Sequence, residues 1–488
     1  MSEPTQRPDR SPAPRGAPDL LLISDLHLGS HLKPRMRGEY VHLAADLDVS
    51  LPRFLDHYAA AGRWQLVVNG DFIDFWNIEV GHGLRLSGEA LAVHRLDAVM
   101  AAYPGVEDAL RRFLAAGNSV TFVVGNHDAE FLYPKVRRAL ADRLYAGLGE
   151  ASAAITHTGS ARLDQHVRVR FVPWFLCEPG GAWIEHGHAF DAACRTGQML
   201  APTRAGRLVQ SLAEVATRSF TNAMPEIDYD AADRFISPWD YVRWAWARGL
   251  RFILYAITLY FRMTLRLLVL WARTGRVDRA GKAEHAARLG RVAAAAGLQM
   301  STLTALQSMA PPPASATVGG VLRITALDAI LSILACLGIG LATSAAFGMP
   351  RSAGLVLGAA LGWLSIRRLG RRRKRRAIAE EMAHVAFDIA RATEVPLVLM
   401  GHSHHGSIDR GDGVIYANSG CWLDGSHLVV RRDPATGRLA ELELRSWRNG
   451  GVVVLDRAAI PHMKPQVAAD EPVVADRALG DMPVRTGL

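Results

Sequence analysis

The chain has 488 residues, 49% hydrophobic and 21% charged, with 56 Lys+Arg against 47 Asp+Glu for a formal charge of +9. That balance excludes a disordered tail and a transporter built mainly from membrane helices, and the length allows roughly two to four domains. Cys177, Cys194, Cys336 and Cys421 lie far apart with no Cys-x-x-Cys, which excludes a small disulfide scaffold and a cysteine zinc site and suits a reducing compartment.

Residues 1–18 are rich in Pro, Arg and Ser, have no apolar core, and read as a disordered leader. Five segments then share one pattern, an apolar strand-like run that stops at Asp, His or Asn. They are Leu20–Ile23 before Ser24-Asp25-Leu26-His27, and Leu66–Val68 before Asn69-Gly70-Asp71. Val120–Val124 precedes Gly125-Asn126-His127-Asp128, Ala182–Glu185 precedes His186-Gly187-His188, and Val395–Met400 precedes Gly401-His402-Ser403-His404. Continuous apolar runs of this length read as strands buried on both faces. In open α/β sheets the crevice beyond the strand ends is where ligands bind. Carboxylates, imidazoles and an amide converging there make a mixed nitrogen and oxygen site without thiolate. Such a set suits manganese, iron or zinc better than magnesium or calcium.

In all five blocks and their order, the sequence resembles the calcineurin-like metallophosphoesterases, over roughly residues 19–190 and 390–456. The resemblance implies an α/β fold, a four-layer sandwich of two mixed β-sheets flanked by helices. It also implies two divalent metal ions, manganese first, with iron or zinc as alternatives. One would take Asp25, His27, Asp71 and His404; the other would take Asp71, Asn126, His186 and His402, with Asp71 bridging. A shared carboxylate holds two cations roughly 3.5–4 Å apart, where they clamp a phosphate and ionise a water. His127 would stand near the leaving oxygen as acid or cationic stabiliser, with Asp128 orienting it. Asn126 and His127, with His188 beside His186, are candidate substrate contacts; Asp191 and His405 also flank ligands. Asp74 reads as a supporting or structural residue rather than a ligand, and Cys421 as packing.

Gly70-Asp71-Phe-Ile-Asp74-Phe75 lacks the Arg-Gly ending of the protein Ser/Thr phosphatases, and Asp128 stands where those carry Glu. The Ser-Asp-Leu-His-Leu-Gly opening and Asn418-Ser-Gly-Cys-Trp422 look like the bacterial group containing UDP-diacylglucosamine pyrophosphohydrolases. Those enzymes carry Arg where His127 stands, so only the broader group is carried over.

His402 follows His188 by 214 positions, and a structureless loop of that size is implausible. Residues 191–385 therefore read as a helical, membrane-associated insertion between a first catalytic part (19–190) and a second (386–456), with a flexible tail at 457–488. The insertion holds 26 Lys+Arg against 12 Asp+Glu, while the remainder holds 30 against 35. Ala329–Pro350 contains 22 residues without Asp, Glu, Lys, Arg or His, about 33 Å as a helix and long enough for a hydrocarbon core of about 30 Å. A shorter apolar run, Ser352–Ile366, follows. Residues 367–376 then carry eight cations in ten positions, among them Arg371, Arg372, Arg373 and Lys374. Together these read as a transmembrane hairpin over about 324–366 with a cytoplasmic stop signal; the alternative is a buried helical pair in a soluble domain.

Before the hairpin, Tyr241–Arg276 reads as a basic amphipathic helix. At 100° per residue, Arg248, Arg251, Arg262, Arg266, Arg273 and Arg276 share a stripe roughly 80° wide. That reads as an interfacial helix lying in anionic headgroups; as a span it would bury Arg262 and Arg266 at about 2.5–3.5 kcal/mol each. Catalytic blocks on both sides of the insertion must lie on one side of any membrane, so the chain crosses an even number of times. The expectation is a cytoplasm-facing metallophosphoesterase of the inner membrane, with membrane lipids and a phosphate substrate, lipid-linked by preference, as partners. A nucleic-acid or nucleotide phosphodiesterase is the first alternative, although no nucleic-acid partner is expected. A catalytically vestigial membrane scaffold is the second.

Overall fold

The structure is a computed structural model. It describes residues 16–30, 32, 39–80, 84–146, 168–200, 203–204, 206–224, 243, 246–274, 279–372 and 378–461. Most of the leader, the tail beyond 461, Tyr241, Arg276, Arg373 and Lys374 lie outside the described residues. The fold is α/β, with mixed sheets and, among the described residues, twelve α-helices.

The larger sheet has seven strands. Four are parallel neighbours: β1 (Asp19–Ile23), β2 (Trp64–Asn69), β3 (Ser119–Val123) and β4 (Val169–Val172). On the other side of β1 lie β12 (Ser426–Arg432), β13 (Leu439–Arg448) and β14 (Gly451–Ala459), each antiparallel to its neighbour. A second sheet has five strands, in the order β10 (Ser407–Gly411), β11 (Val414–Asn418), β9 (Leu397–Met400), β6 (Ala182–Glu185) and β5 (Phe175–Glu178). Here β9 runs parallel to both β6 and β11. Thr203–Arg204 (β7) and Arg207–Leu208 (β8) form a separate small hairpin.

Alternation along β1 divides the apolar residues between two cores. Leu20 and Leu22 meet Ile184, Leu397 and Leu399 between the sheets. Leu21 and Ile23 pack against α1 (Glu39–Ala61), α2 (Glu89–Ala102), α3 (Pro104–Ala115) and α4 (Pro134–Tyr145), through residues such as Phe54, Leu96, Phe113 and Leu140. Both faces are covered, which is why the strand reads as an unbroken apolar run.

On the outer face of the five-stranded sheet, Trp183, Val398 and Tyr416 pack against three later helices. These are α7 (Arg279–Ala296), α8 (Met300–Met309) and α12 (Ile378–Thr393), through Val292, Leu303 and Ala386. Residues 191–385 are therefore not a self-contained helical unit, because α7 and α8 share one core with α12 and the five-stranded sheet. The expected boundary at 385/386 falls inside α12. Nor does the sheet end at 456: β14 continues to Ala459, opposite Glu441, and Ile460 is buried. The apolar run Val452–Leu455 stops short of these last residues, Asp456-Arg457-Ala458-Ala459, which are charged or small and carry no such signal.

The exposed apolar surface gathers on three helices. α6 (Leu250–Thr274) shows Leu250, Leu254, Phe261 and Leu265; α10 (Leu327–Ala346) and α11 (Arg351–Arg372) show Leu334, Ile339, Val356 and Trp363. α10 and α11 pack side by side where small residues let the backbones approach. A Cβ on Gly354 would sit 2.6 Å from the Gly340 carbonyl oxygen, and one on Gly358 would sit 2.7 Å from the Leu337 Cα. The described helix α11 runs past the apolar run through Arg367 and Arg368. Among the described residues, two helices are long and apolar enough to cross a membrane: Leu250–Arg273 and Leu327–Ala346. The first of these is the segment expected to lie only in the interface, and by length and composition it also qualifies as a span.

Candidate metal centre

Every one of the seven expected ligands stands at the carboxyl end of a parallel strand. Asp25 and His27 follow β1, Asp71 follows β2, Asn126 follows β3, His186 follows β6, and His402 and His404 follow β9. Side chains bond to backbone carbonyls between the two sheets here, and a backbone bond ties the ends of β6 and β9 within the second sheet. Asn69 donates from Nδ2 to the Glu185 carbonyl at 3.0 Å, His186 Nδ1 lies 2.8 Å from the Asn69 carbonyl oxygen, and the Gly401 amide donates to the His186 carbonyl at 3.1 Å.

The chain turns sharply to present these side chains. Asp25, His27, Asp71, His402 and His404 all have φ between 51° and 65°. That left-handed region is costly for side chains other than Gly and Asn, and it concentrates at functional sites. Gly70 and Gly125 provide the close approach: a Cβ on Gly70 would overlap the His186 ring, and one on Gly125 would overlap the Asp71 carboxylate.

Among the described residues four overlapping donor groups result; His27, Asp71 and His127 make one, Asp191, Cys194 and His402 another, and the remaining two hold only expected ligands. Of these two, Asp25, His27 and His404 form one and Asp71, His186 and His402 the other, each with its ligand atoms within 4.8 Å of one another. His404 Nε2 lies 3.2 Å from Asp25 Oδ1, and His186 Nε2 lies 3.3 Å from Asp71 Oδ2 and 3.2 Å from Asn126 Oδ1. His27 Nε2 is 4.0 Å from both Asp25 Oδ1 and Asp71 Oδ2, so Asp71 faces both groups. Asp25 Oδ1 is buried and accepts no hydrogen bond. A buried carboxylate oxygen pointing at imidazole nitrogens is costly unless a cation lies between them. The donor set, all imidazole nitrogen and carboxylate or amide oxygen, fits a divalent transition metal.

Electrostatics agree with this placement. Burial works against ionising Asp71, yet His186, His127 and His27 hold its carboxyl well below the usual range. Burial, reinforced by Asp71, pushes Asp128 up to about 7, and burial with the His186 and His402 imidazoles pushes His188 down to about 3.

The ring of His127 is held differently from expectation. Its Nδ1 lies 2.8 Å from Asp74 Oδ1, and the ring stacks on Trp76 with centroids 3.9 Å apart. Asp128, expected to orient His127, instead accepts the amides of Phe72 at 2.8 Å and Gly125 at 2.7 Å. Its carboxylate thus braces the loops after β2 and β3, and Asp74 takes the orienting position. Neighbours on the chain need not share a direction, and only the folded backbone reveals which carboxylate meets the ring.

Other residues named in the sequence motifs support the loops or line the surroundings. Ser24 Oγ bonds to Asp25 and lies 2.7 Å from Ser419 Oγ, while Asn418 Nδ2 donates to the Gly401 carbonyl at 2.6 Å. The Asn418–Ser419 pair thereby fixes the loop that presents His402 and His404. Asp191 Oδ2 lies 3.4 Å from His402 Nε2. His188 lines a small cavity with Asn126 and Trp76, and Cys421 is buried.

The basic residues are spread differently. Arg248, Arg251 and Arg262 are exposed, with the Arg248 guanidinium 5.8 Å from the Phe252 ring. Arg266 and Arg273 line a groove together with residues of α2, α5 (Leu212–Ser219) and the β7–β8 hairpin rather than only facing outward. Arg371 and Arg372 close α11.

A scan against protein-family models finds no match, and no curated protein matches the sequence.

Proposed function

We propose that the chain is a dinuclear metal-dependent hydrolase of phosphate esters or pyrophosphates, of the calcineurin-like metallophosphoesterase type, acting on a lipid-linked substrate at the cytoplasmic face of a membrane. The observation that carries this reading is the position of Asp71 between two three-residue donor groups. The order of the layers, with α1–α4, the seven-stranded sheet, the five-stranded sheet and then α7, α8 and α12, supports a four-layer sandwich of that type.

One group would be held by Asp25, His27, Asp71 and His404, the other by Asp71, Asn126, His186 and His402. Two divalent cations in such a site supply Lewis acidity and a water-derived nucleophile at neutral pH. The chain's own residues do the rest. With Nδ1 engaged by Asp74 and the ring face on Trp76, His127 has Nε2 to offer a leaving oxygen as proton donor or cationic partner. Burial of Asp25, Asp71 and His186 excludes water from behind the ligands and strengthens each electrostatic contact.

Membrane placement is supported by the apolar faces of α6, α10 and α11, and the cytoplasmic side by the cations after residue 366. The test is hydrolysis by the detergent-purified chain with manganese added. Faster turnover of phosphates presented in vesicles than of soluble phosphodiesters, abolished by chelation, is expected. Chelator-resistant hydrolysis would exclude the metal chemistry, and equal rates on both substrates would exclude the lipid-linked substrate.

A further inference from the structure

A groove of about 1460 Å³ lies beside the candidate metal centre, walled by α2, α6, α7, the β7–β8 hairpin and α5 (Leu212–Ser219). Its wall is cationic. Arg204 and Arg207 come from the hairpin, Arg266 and Arg273 from α6, and Lys282 from α7. Arg95 of α2 and Arg218 of α5 complete it, against Glu79, Glu130 and Glu214. Arg218 is taken up by Glu214 at 2.7 Å, with Glu130 at 3.9 Å. Arg266 donates to the Ser219 hydroxyl at 3.0 Å and Arg204 to the Arg273 carbonyl at 3.1 Å. These partners are neutral, and among the described residues neither guanidinium forms an ion pair with a carboxylate. Cations gathered in a concave site raise the local concentration of anions, and guanidinium groups suit phosphate oxygens in particular.

Position ties the groove to two other features. It shares Glu130, Thr196, Leu208, Val209 and Glu214 with the small cavity that reaches Asn126 and His188, so one wall separates it from the metal centre. The helix that carries Arg266 and Arg273 also carries the exposed Leu254, Phe261 and Leu265. Phe261 and Arg273 are twelve positions apart, roughly 18 Å along the helix axis. An amphiphile lying against the apolar face of α6 would therefore carry its headgroup to the groove.

We propose that this groove is a second anion site, which takes a phosphate of an amphiphile's headgroup while another phosphate of the same molecule reaches the metal centre. The site's preferred ligand is thus an amphiphile with at least two anionic groups rather than a simple monoester. Only the fate of the second phosphate rests on the phosphoesterase reading; anion capture in the groove does not.

The test therefore separates the two. Full-length protein in neutral detergent, with metals stripped by chelator, is titrated calorimetrically with dioctanoyl phosphatidylinositol 4-phosphate, an amphiphile with two phosphates, and separately with inorganic phosphate. The short-chain lipid should bind more tightly, and Arg207→Gln/Arg273→Gln/Lys282→Gln should weaken it at least about tenfold, as expected for losing charge-assisted hydrogen bonds. The single exposed change Lys282→Glu, which keeps the fold, should weaken it in the same direction, while Arg367→Gln/Arg368→Gln on α11 should leave it unchanged. Equal affinity for inorganic phosphate would overturn the headgroup assignment. Wild-type affinity in both groove variants would overturn the site itself, whether or not the chain proves to be a metal-dependent hydrolase.

Discussion

His127 Nδ1 lies 2.8 Å from Asp74 Oδ1, and this contact, rather than one with the adjacent Asp128, orients the ring. A supporting carboxylate of this kind typically contributes a factor of 10–100 in activity, roughly, through orientation of the ring. Asp74→Asn should lower kcat by about 10–100-fold and leave KM nearly unchanged. Steady-state kinetics on a soluble phosphodiester checks it, and wild-type kcat in the variant would remove Asp74 from the account.

Glu130 carries the clearest pH signature away from the ligands. Burial pushes its carboxyl up to about 8, only partly offset by Arg218 and reinforced by Glu214. A folded-state value above the unfolded one of 4.5 means that this group's stability is fully present below pH 4.5 and lost as pH rises through about 8. Glu130→Gln should raise Tm above pH 8 by a few degrees and change it little near pH 4. Thermal melts across that range decide the point; parallel wild-type and variant curves would contradict it.

Arg432 ties the two sheets together away from the metal centre. It donates to Glu178 at 2.6 Å and to the Pro179 carbonyl at 2.9 Å, and both charged side chains are buried. Arg432→Met takes the closest cation from buried Glu178, leaving it Gln65 at 3.3 Å and the charge of Arg170, and should cost about 3 kcal/mol. The double change Arg432→Met/Glu178→Met should recover most of that loss in denaturant unfolding. A double variant as unstable as the single one would show that the charge pair is not the cause.

The hairpin of α10 and α11 can be tested with a cysteine already present. A Cβ placed on Gly362 would stand 3.8 Å from the Cβ of Cys336, within the spacing that disulfides prefer. Gly362→Cys should cross-link to Cys336 within one chain under mild oxidant, seen as a mobility shift reversed by reductant. No cross-link in membranes would mean that the helices do not pack in this register.

Much of the site was legible because strand burial on both faces writes a continuous apolar run, and the residue after it must turn. Asp25, Asp71, Asn126, His186 and His402 all sit at such ends. Less was legible where direction matters more than order. Asp128 follows His127 in the chain, yet its carboxylate points to the Phe72 and Gly125 amides. The arginine stripe on α6 was visible as a stripe, but periodicity does not say what a stripe faces, and Arg266 and Arg273 face the groove. Ala-rich α7 has no strong apolar stripe, so its place against the five-stranded sheet emerges only from packing, through Leu289 and Val292. None of the residues that brace the loops, such as Ser24, Asn69 and Asn418, carries a charge pattern that would single it out.

If Asp71 joins two cation sites, metal stoichiometry must show it. Purified protein loaded with manganese, freed of excess metal and assayed by mass spectrometry should hold two ions per chain. Asp71→Asn should bring that close to zero and abolish hydrolysis while the protein still fractionates with membranes. Wild-type protein that retains no metal, or an Asp71→Asn variant that retains both ions and full activity, would contradict the account.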